Sequence, residues 1–158
     1  MVYRHFGDAH AAQRARLLRK ISTDRGLVFM IGQDWRLALE IDADGVHMPE
    51  RDLSQILELH TQNPTLRFSL ACHNLATLRK AEALDGALSA VFVSPVFVSA
   101  SASARGVEPL GVKGLRAFTE ASPLPVYALG GINCDTIGKL RDAGLSGVAA
   151  IDAFRLED

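Results

Sequence analysis

Short apolar runs alternate along the chain with stretches in which apolar residues return every three or four positions. Seven runs read as strands: Val2–Phe6, Leu27–Ile31, Gly45–Met48, Arg67–Cys72, Ala90–Ser94, Pro125–Leu129 and Gly147–Ile151. A turn signal bounds each run and a helical period follows it, the pattern of βα units that build a parallel sheet. Between the first two runs, Ala11, Ala15, Leu18 and Ile21 fall on one helical face while Arg14, Arg16 and Lys20 lie largely off it, and Gly26 is the stop. Asn74 is placed to cap a helix carrying Leu75, Leu78 and Leu84, and Ile137 with Leu140 marks another that ends at Gly144. The junctions Ala43-Asp44-Gly45-Val46, Leu84-Asp85-Gly86-Ala87 and Ala143-Gly144-Leu145-Ser146-Gly147-Val148 resemble one another, as helix-to-strand turns of a repeated unit do. The pattern favours an α/β barrel or an open doubly wound sheet over a helical bundle.

Composition narrows the class. With 158 residues, 48% of them hydrophobic, the chain can bury one sizeable core, so residues 1–158 are expected to form a single domain. Lysine plus arginine number 17 against 18 for aspartate plus glutamate, which leaves no basic excess for a nucleic-acid backbone. Cys72 and Cys134 show neither CxxC spacing nor the density of a secreted disulfide scaffold, so a reducing cytoplasm is the expected location. No apolar run approaches the roughly 20 residues needed to span a bilayer, and Met1-Val2-Tyr3-Arg4-His5-Phe6 lacks a signal-peptide core.

Two segments carry candidate chemistry. Residues Val98-Ser99-Ala100-Ser101-Ala102-Ser103-Ala104-Arg105-Gly106 are small and polar and follow a strand end. They read either as a spacer or as a lid over the C-terminal ends of the strands, where barrel enzymes place their sites. In Pro125-Val126-Tyr127-Ala128-Leu129-Gly130-Gly131-Ile132-Asn133 two glycines end a buried strand directly before a helix. Glycine there lets backbone N–H groups approach an anion, as in phosphate-binding barrels.

The ordered motifs then resemble one family. Phe29-Met30-Ile31-Gly32-Gln33-Asp34-Trp35, Ala43-Asp44-Gly45-Val46-His47-Met48-Pro49-Glu50-Arg51-Asp52-Leu53, Ala71-Cys72-His73-Asn74, Val93-Ser94-Pro95-Val96-Phe97 and the Gly130-Gly131 turn are similar, in order, to segments of the thiamine phosphate synthase and TenI family. The resemblance implies a (β/α)8 TIM-barrel type of fold. Aligning the motifs makes Val2–Phe6 the second strand, so the first βα unit and most of the last helix are missing and seven strands remain recognisable. Unpaired strand edges are rarely left unprotected. The expectation is therefore a closed seven-strand variant, a partner that covers the gap, or an incomplete gene model.

By the same resemblance the reaction joins a pyrimidine pyrophosphate to a thiazole phosphate, with Mg2+ and cationic side chains steadying the departing pyrophosphate. The family's Gln-x-Arg-x-Lys set falls on Arg4-His5-Phe6-Gly7-Asp8, where Arg4 substitutes in part. Its Asn-Asp pair falls on Gly32-Gln33, with Asp34 one position on as a helix opener. Asp52 matches a magnesium aspartate, a single carboxylate being a poor magnesium site; Mg2+ is implied only where synthase activity is retained. Arg105 is the nearest cation to the family's lid lysine, and Ala71 replaces a serine. Gly130, Gly131, Ile151 and Ser94 occupy substrate- or phosphate-contacting positions, whereas Asp152 stands where a serine is usual and would repel a phosphate.

His73 aligns with a histidine used for proton transfer in the thiazole tautomerase branch, chemistry suited to imidazole. His47, within Gly-Val-His-Met, reads as a core or supporting histidine, and Cys72, on the opposite strand face from His73, shares no site with it. Trp35 and Phe97 read as packing groups. Three functions follow: a thiamine-biosynthesis protein acting on or binding a phosphorylated thiazole or pyrimidine metabolite but diverged from the synthase; a TenI-like tautomerase using His73; or a non-catalytic phosphometabolite-binding or regulatory barrel. A different phosphate barrel, such as a sugar-phosphate isomerase, is the weakest reading, and a homo-oligomer is compatible with all.

Overall fold

Every apolar run of the sequence delivers a strand, and every strand before the last is followed by a helical segment. The computed structural model describes all residues except Phe6, Asp85, Ala100, Ala102, Ser103, Arg105, Asp152 and 154–158. Two units are resolved: Met1–Leu70 with Leu84–Ser89, and Ala71–Ala83 with Ala90–Asp158.

The first unit contains β1 (Val2–Tyr3), α1 (Ala11–Asp24), β2 (Met30–Gly32), α2 (Trp35–Glu40), β3 (Gly45–Met48), a 3-10 stretch Glu50–Gln55, α3 (Ile56–Gln62) and most of β4 (Arg67–Cys72). Its strands pair in parallel and in chain order. Ile31, Val46 and Phe68 align across β2, β3 and β4, and all are fully buried. One step along, Gly32, His47 and Ser69 align on the opposite face, as strand alternation requires.

Asp44 and Gly45 fix this unit. Asp44 Oδ2 accepts from the Phe29 N–H at 2.7 Å and from Arg19 Nη1 at 2.9 Å, so one carboxylate ties the start of β2 to α1. A Cβ at Gly45 would lie 2.3 Å from the Arg67 carbonyl oxygen, so only glycine lets β3 and β4 approach this closely. The recurring Asp-Gly junction of the sequence thus has a physical cause here.

The second unit contains α4 (Leu75–Glu82), β5 (Ala90–Val93), α5 (Gly111–Ala121), β6 (Val126–Ala128), α6 (Cys134–Ile137) running into a 3-10 turn Gly138–Leu140, and β7 (Gly147–Val148). Strands β5, β6 and β7 are again parallel and in chain order. Asn74 caps α4, its Oδ1 accepting from the Thr77 N–H at 2.9 Å. Phe92 and Tyr127, opposite one another on β5 and β6, stack at 5.1 Å between ring centroids. A Cβ at Gly147 would meet the Tyr127 ring at 2.8 Å, so the aromatic on β6 dictates the glycine on β7.

Strands β3 and β4 have the limits expected from sequence; the others are shorter. Strand β2 starts at Met30 rather than Leu27, because the Leu27 N–H turns back to the Ser22 carbonyl at 2.8 Å to close α1, leaving Leu27 and Val28 exposed. Strand β1 ends at Tyr3, β5 at Val93, β6 spans only Val126–Ala128, and β7 ends at Val148. The α1 face is also turned by one position. Ile21 is 43% exposed, whereas Ser22 is fully buried, its hydroxyl donating to the Leu18 carbonyl at 2.6 Å. A serine that bonds its own helix backbone can enter a core that apolar counting assigns to its neighbour. No helix among the described residues is long and apolar enough to cross a membrane.

Asp44→Ala would leave the Phe29 N–H without its acceptor and Arg19 without its closest carboxylate. A loss of about 1–3 kcal/mol is expected, read as a lowered urea midpoint, while Glu120→Ala at an exposed position of helix Gly111–Ala121 should shift stability by less than about 0.5 kcal/mol. Equal effects of the two substitutions would refute the role given to Asp44.

Candidate functional site

The segment after β6 is held against the segment after β5 by backbone alone. The Leu129 N–H donates to the Val93 carbonyl at 2.9 Å, the Val96 N–H to Leu129 at 3.0 Å, and the Phe97 N–H to Gly130 at 3.0 Å. Gly130 and Gly131 both adopt positive φ, +95° and +65°. A Cβ on Gly130 would fall 2.8 Å from Pro95 Cα, and one on Gly131 would fall 2.3 Å from the Val98 carbonyl oxygen. Both positions are closed to side chains by space as well as by conformation. The N–H groups of Gly130, Gly131 and Ile132 donate to no acceptor among the described residues.

Asn133 and Thr136 lock the far side of the turn. Asn133 Oδ1 accepts from the N–H groups of Asp135 and Thr136 at 3.0 and 3.1 Å. In return Thr136 Oγ1 accepts from the Asn133 N–H at 2.9 Å and donates to the Gly131 carbonyl at 2.9 Å. The reciprocal arrangement is a capping box, and its N-x-x-T spacing is the sequence signal that marks it. Cys134, just behind Asn133, is exposed, whereas Cys72 is buried; both are free thiols.

His73 follows β4 and reaches the same strand ends. Its Nδ1 lies 2.7 Å from the Ser94 carbonyl oxygen and 3.4 Å from Ser94 Oγ. A carbonyl oxygen only accepts, so Nδ1 carries the proton and Nε2 is the basic nitrogen of the neutral ring. The Ser94 N–H in turn donates to the Cys72 carbonyl at 3.3 Å. Hydrogen bonds and the chain between them therefore link His73, Ser94, Val96–Phe97 and Leu129–Gly130 within the second unit, with Gly131 packed against Phe97 and Val98. Ile151 is exposed, two residues beyond Ala149, whose N–H donates to the Ala128 carbonyl at 2.8 Å. Lys139, which sequence reasoning passed over, holds its ammonium 6.0 Å from the Phe97 ring centroid. Arg105 and Asp152 lie outside the described residues.

In the first unit the matching positions are engaged with one another. Arg4 is exposed, and its stem fills the space beside Gly32, where a Cβ would meet Arg4 Cγ at 2.7 Å. Asp8 Oδ1 accepts from the His10 N–H at 2.9 Å and Oδ2 from Tyr3 Oη at 3.5 Å, and Arg14 lies 3.2 Å from the same carboxylate. The His10 N–H, opposed by partial desolvation and aided by Arg14, holds the Asp8 carboxyl below its ordinary range, while burial and then the Asp8 charge push the Tyr3 phenol up. Asp34 Oδ1 caps α2 through the Leu37 N–H at 3.0 Å, and its Oδ2 lies 3.5 Å from His5 Nε2. Asp52 accepts from Gln55 Nε2 at 3.4 Å and lies 3.9 Å from Arg51 Nε. His47 Nδ1 is 2.9 Å from the buried Ser69 hydroxyl, a bond within the unit's interior.

Magnesium prefers octahedral oxygen ligation, commonly from one or two carboxylates together with substrate phosphates; of the carboxylates at these positions, Asp34 caps a helix and Asp52 lies beside a guanidinium and an amide. Nowhere among the described residues do three His, Cys, Asp or Glu side chains come together.

A run of parallel βα units with its glycine turn and histidine at the C-terminal strand ends defines a (β/α)-barrel-type α/β protein. A solved structure described as thiamine phosphate pyrophosphorylase from Pyrococcus furiosus superposes with a TM-score of 0.81 at 26% identity, over 95% of this chain and 70% of that one. The family model "Thiamine monophosphate synthase" matches residues 3–154, and the chain belongs to that family. Relatives named thiamine-phosphate synthase include one from Synechococcus sp. (strain WH7803), 29% identical over 96% of this chain, and one from Moorella thermoacetica, 31% identical over 87% of it. The chain spans 42% and 64% of the lengths of these two.

Gly131→Ala forces a methyl group into the Val98 carbonyl and a positive φ onto an L-residue. The expected result is a fall of about 2–4 kcal/mol in unfolding free energy, whereas Gly138→Ala, with open space around it, should be neutral or stabilising. Calorimetric melting of both variants measures the contrast; similar melting temperatures would refute it.

Proposed function

We propose that this chain binds a phosphorylated thiazole of thiamine biosynthesis, with the phosphate on the Gly130–Gly131–Ile132 amides, and that it has diverged from the synthase reaction. The observation that carries the reading is the set of three successive N–H groups without acceptors among the described residues, held by glycines that packing makes obligatory. Backbone amides turned the same way form a concavity suited to an anion. In the same unit Ser94 follows β5 and Ile151 follows β7, and Arg105 is the cation proposed for the substrate.

His73 is the proton-transfer group of the proposal. With Nδ1–H fixed on the Ser94 carbonyl, Nε2 takes a proton from one carbon of the thiazole carboxylate phosphate and returns it at another, a tautomerisation that requires no metal. Divergence from the synthase is supported by the Asp8 network at the strand end where family members carry a cationic set, and by the engagement of Asp34 and Asp52 in folding contacts. The same observations favour, as the second reading, a barrel that binds the phosphate ester without turning it over. A cytoplasmic setting fits the two free thiols.

Incubating the protein with the thiazole tautomer and following the ring proton by NMR tests the reading. Interconversion is expected, with His73→Gln slower by about 10²–10⁴-fold, and no product from the two synthase substrates with Mg2+. Binding of the phosphate ester without interconversion selects the second reading, and efficient synthase turnover overturns the divergence.

A further inference from the structure

We infer that Lys139 is the side-chain cation of this phosphate subsite, closing over an ester seated on the glycine turn; the inference rests on the phosphate reading given above. Lys139 lies in the 3-10 turn Gly138–Leu140 that continues α6. Helical side chains lean back toward the start of their helix, so its stem runs toward the Gly130–Gly131 turn. The position of the ammonium agrees with that direction. It stands 6.0 Å from the centroid of the Phe97 ring, at the reach of a cation–π contact. Phe97 is the other wall of the turn: its N–H donates to the Gly130 carbonyl, and its Cβ would be 2.8 Å from a Cβ on Gly131.

The charge is available there. Among the described residues the Lys139 ammonium pairs with no carboxylate, unlike Arg14 and Arg16, which are paired with Asp8 and Glu40, and Arg19, paired with Asp44. A phosphate monoester is a dianion near neutral pH, and amide dipoles alone leave its charge partly uncompensated. An ammonium on a flexible stem, steered by an aromatic face, supplies the missing positive charge as a point contact. The ligand class is a phosphate monoester with a small apolar body. The source of the phosphate, free or esterified, is distinguished by titrating both.

Isothermal titration calorimetry in low-salt, phosphate-free buffer tests the assignment, using inorganic phosphate, the phosphorylated thiazole alcohol and the unphosphorylated alcohol against wild type, Lys139→Met and Lys139→Arg. The expected result is binding of the phosphorylated thiazole by wild type, roughly five- to tenfold weaker in Lys139→Met and largely kept in Lys139→Arg, with a shallower salt dependence in the methionine variant. Weak binding of inorganic phosphate with the same variant ranking marks the phosphate itself as what Lys139 contacts; stronger binding of the ester adds the thiazole to the site. Lys139 is exposed, so its substitution leaves folding intact, and an unchanged melting temperature confirms this. Equal affinity in wild type and Lys139→Met overturns the role of Lys139 while leaving the turn as the phosphate site. Failure of wild type to bind any phosphate overturns the phosphate reading and this inference together.

Discussion

The second unit is organised by the absence of two side chains. Gly130 and Gly131 sit so near Pro95, Phe97 and Val98 that a methyl group at either would overlap backbone or Cβ atoms. With those gaps closed, the carbonyls of Leu129 and Gly130 face the β5 side and accept from Val96 and Phe97. The amides of the turn are left facing elsewhere, and the strand end that carries Ser94 is fixed within reach of His73. The positive-φ course of the turn and the seating of the histidine on Ser94 are thus two results of one close approach.

The first unit uses the same device at the other end of its strands. Gly45 lets β3 and β4 meet, and Asp44 beside it anchors β2 and α1. What differs is the fate of the polar groups at the C-terminal ends. Asp8, Asp34 and Asp52 are each held by a helix-opening N–H, a neighbouring amide or a cation, so that their charges serve local structure. The cation there is engaged as well, Arg14 lying 3.2 Å from Asp8. The chain keeps the family's scaffold.

Much of this was legible in the residues. Strands β3 and β4 could be bounded from sequence because Gly45 and Cys72 are flanked by unambiguous turn residues, and Asn74 announced α4 by its capping chemistry. The misplaced limits have local causes. Leu27 and Val28 look like strand residues, but the backbone there is still closing α1, which hydropathy does not report. Ile21 looked like a core residue until Ser22, by satisfying its own hydroxyl, took the buried position. For the site, His73 and the glycine pair were visible because their residue types are distinctive. Lys139 was not, since an isolated lysine on a helix reads as solvated surface until the position of Phe97 is known.

Of the two thiols, one is sealed at the end of β4 and the other stands in the open, two residues past Ile132. A maleimide under native conditions will therefore find a single attachment point. A fluorophore or nitroxide placed there would stand at the start of α6, three residues past Gly131, so the chain comes with a reporter position beside the glycine turn already chosen.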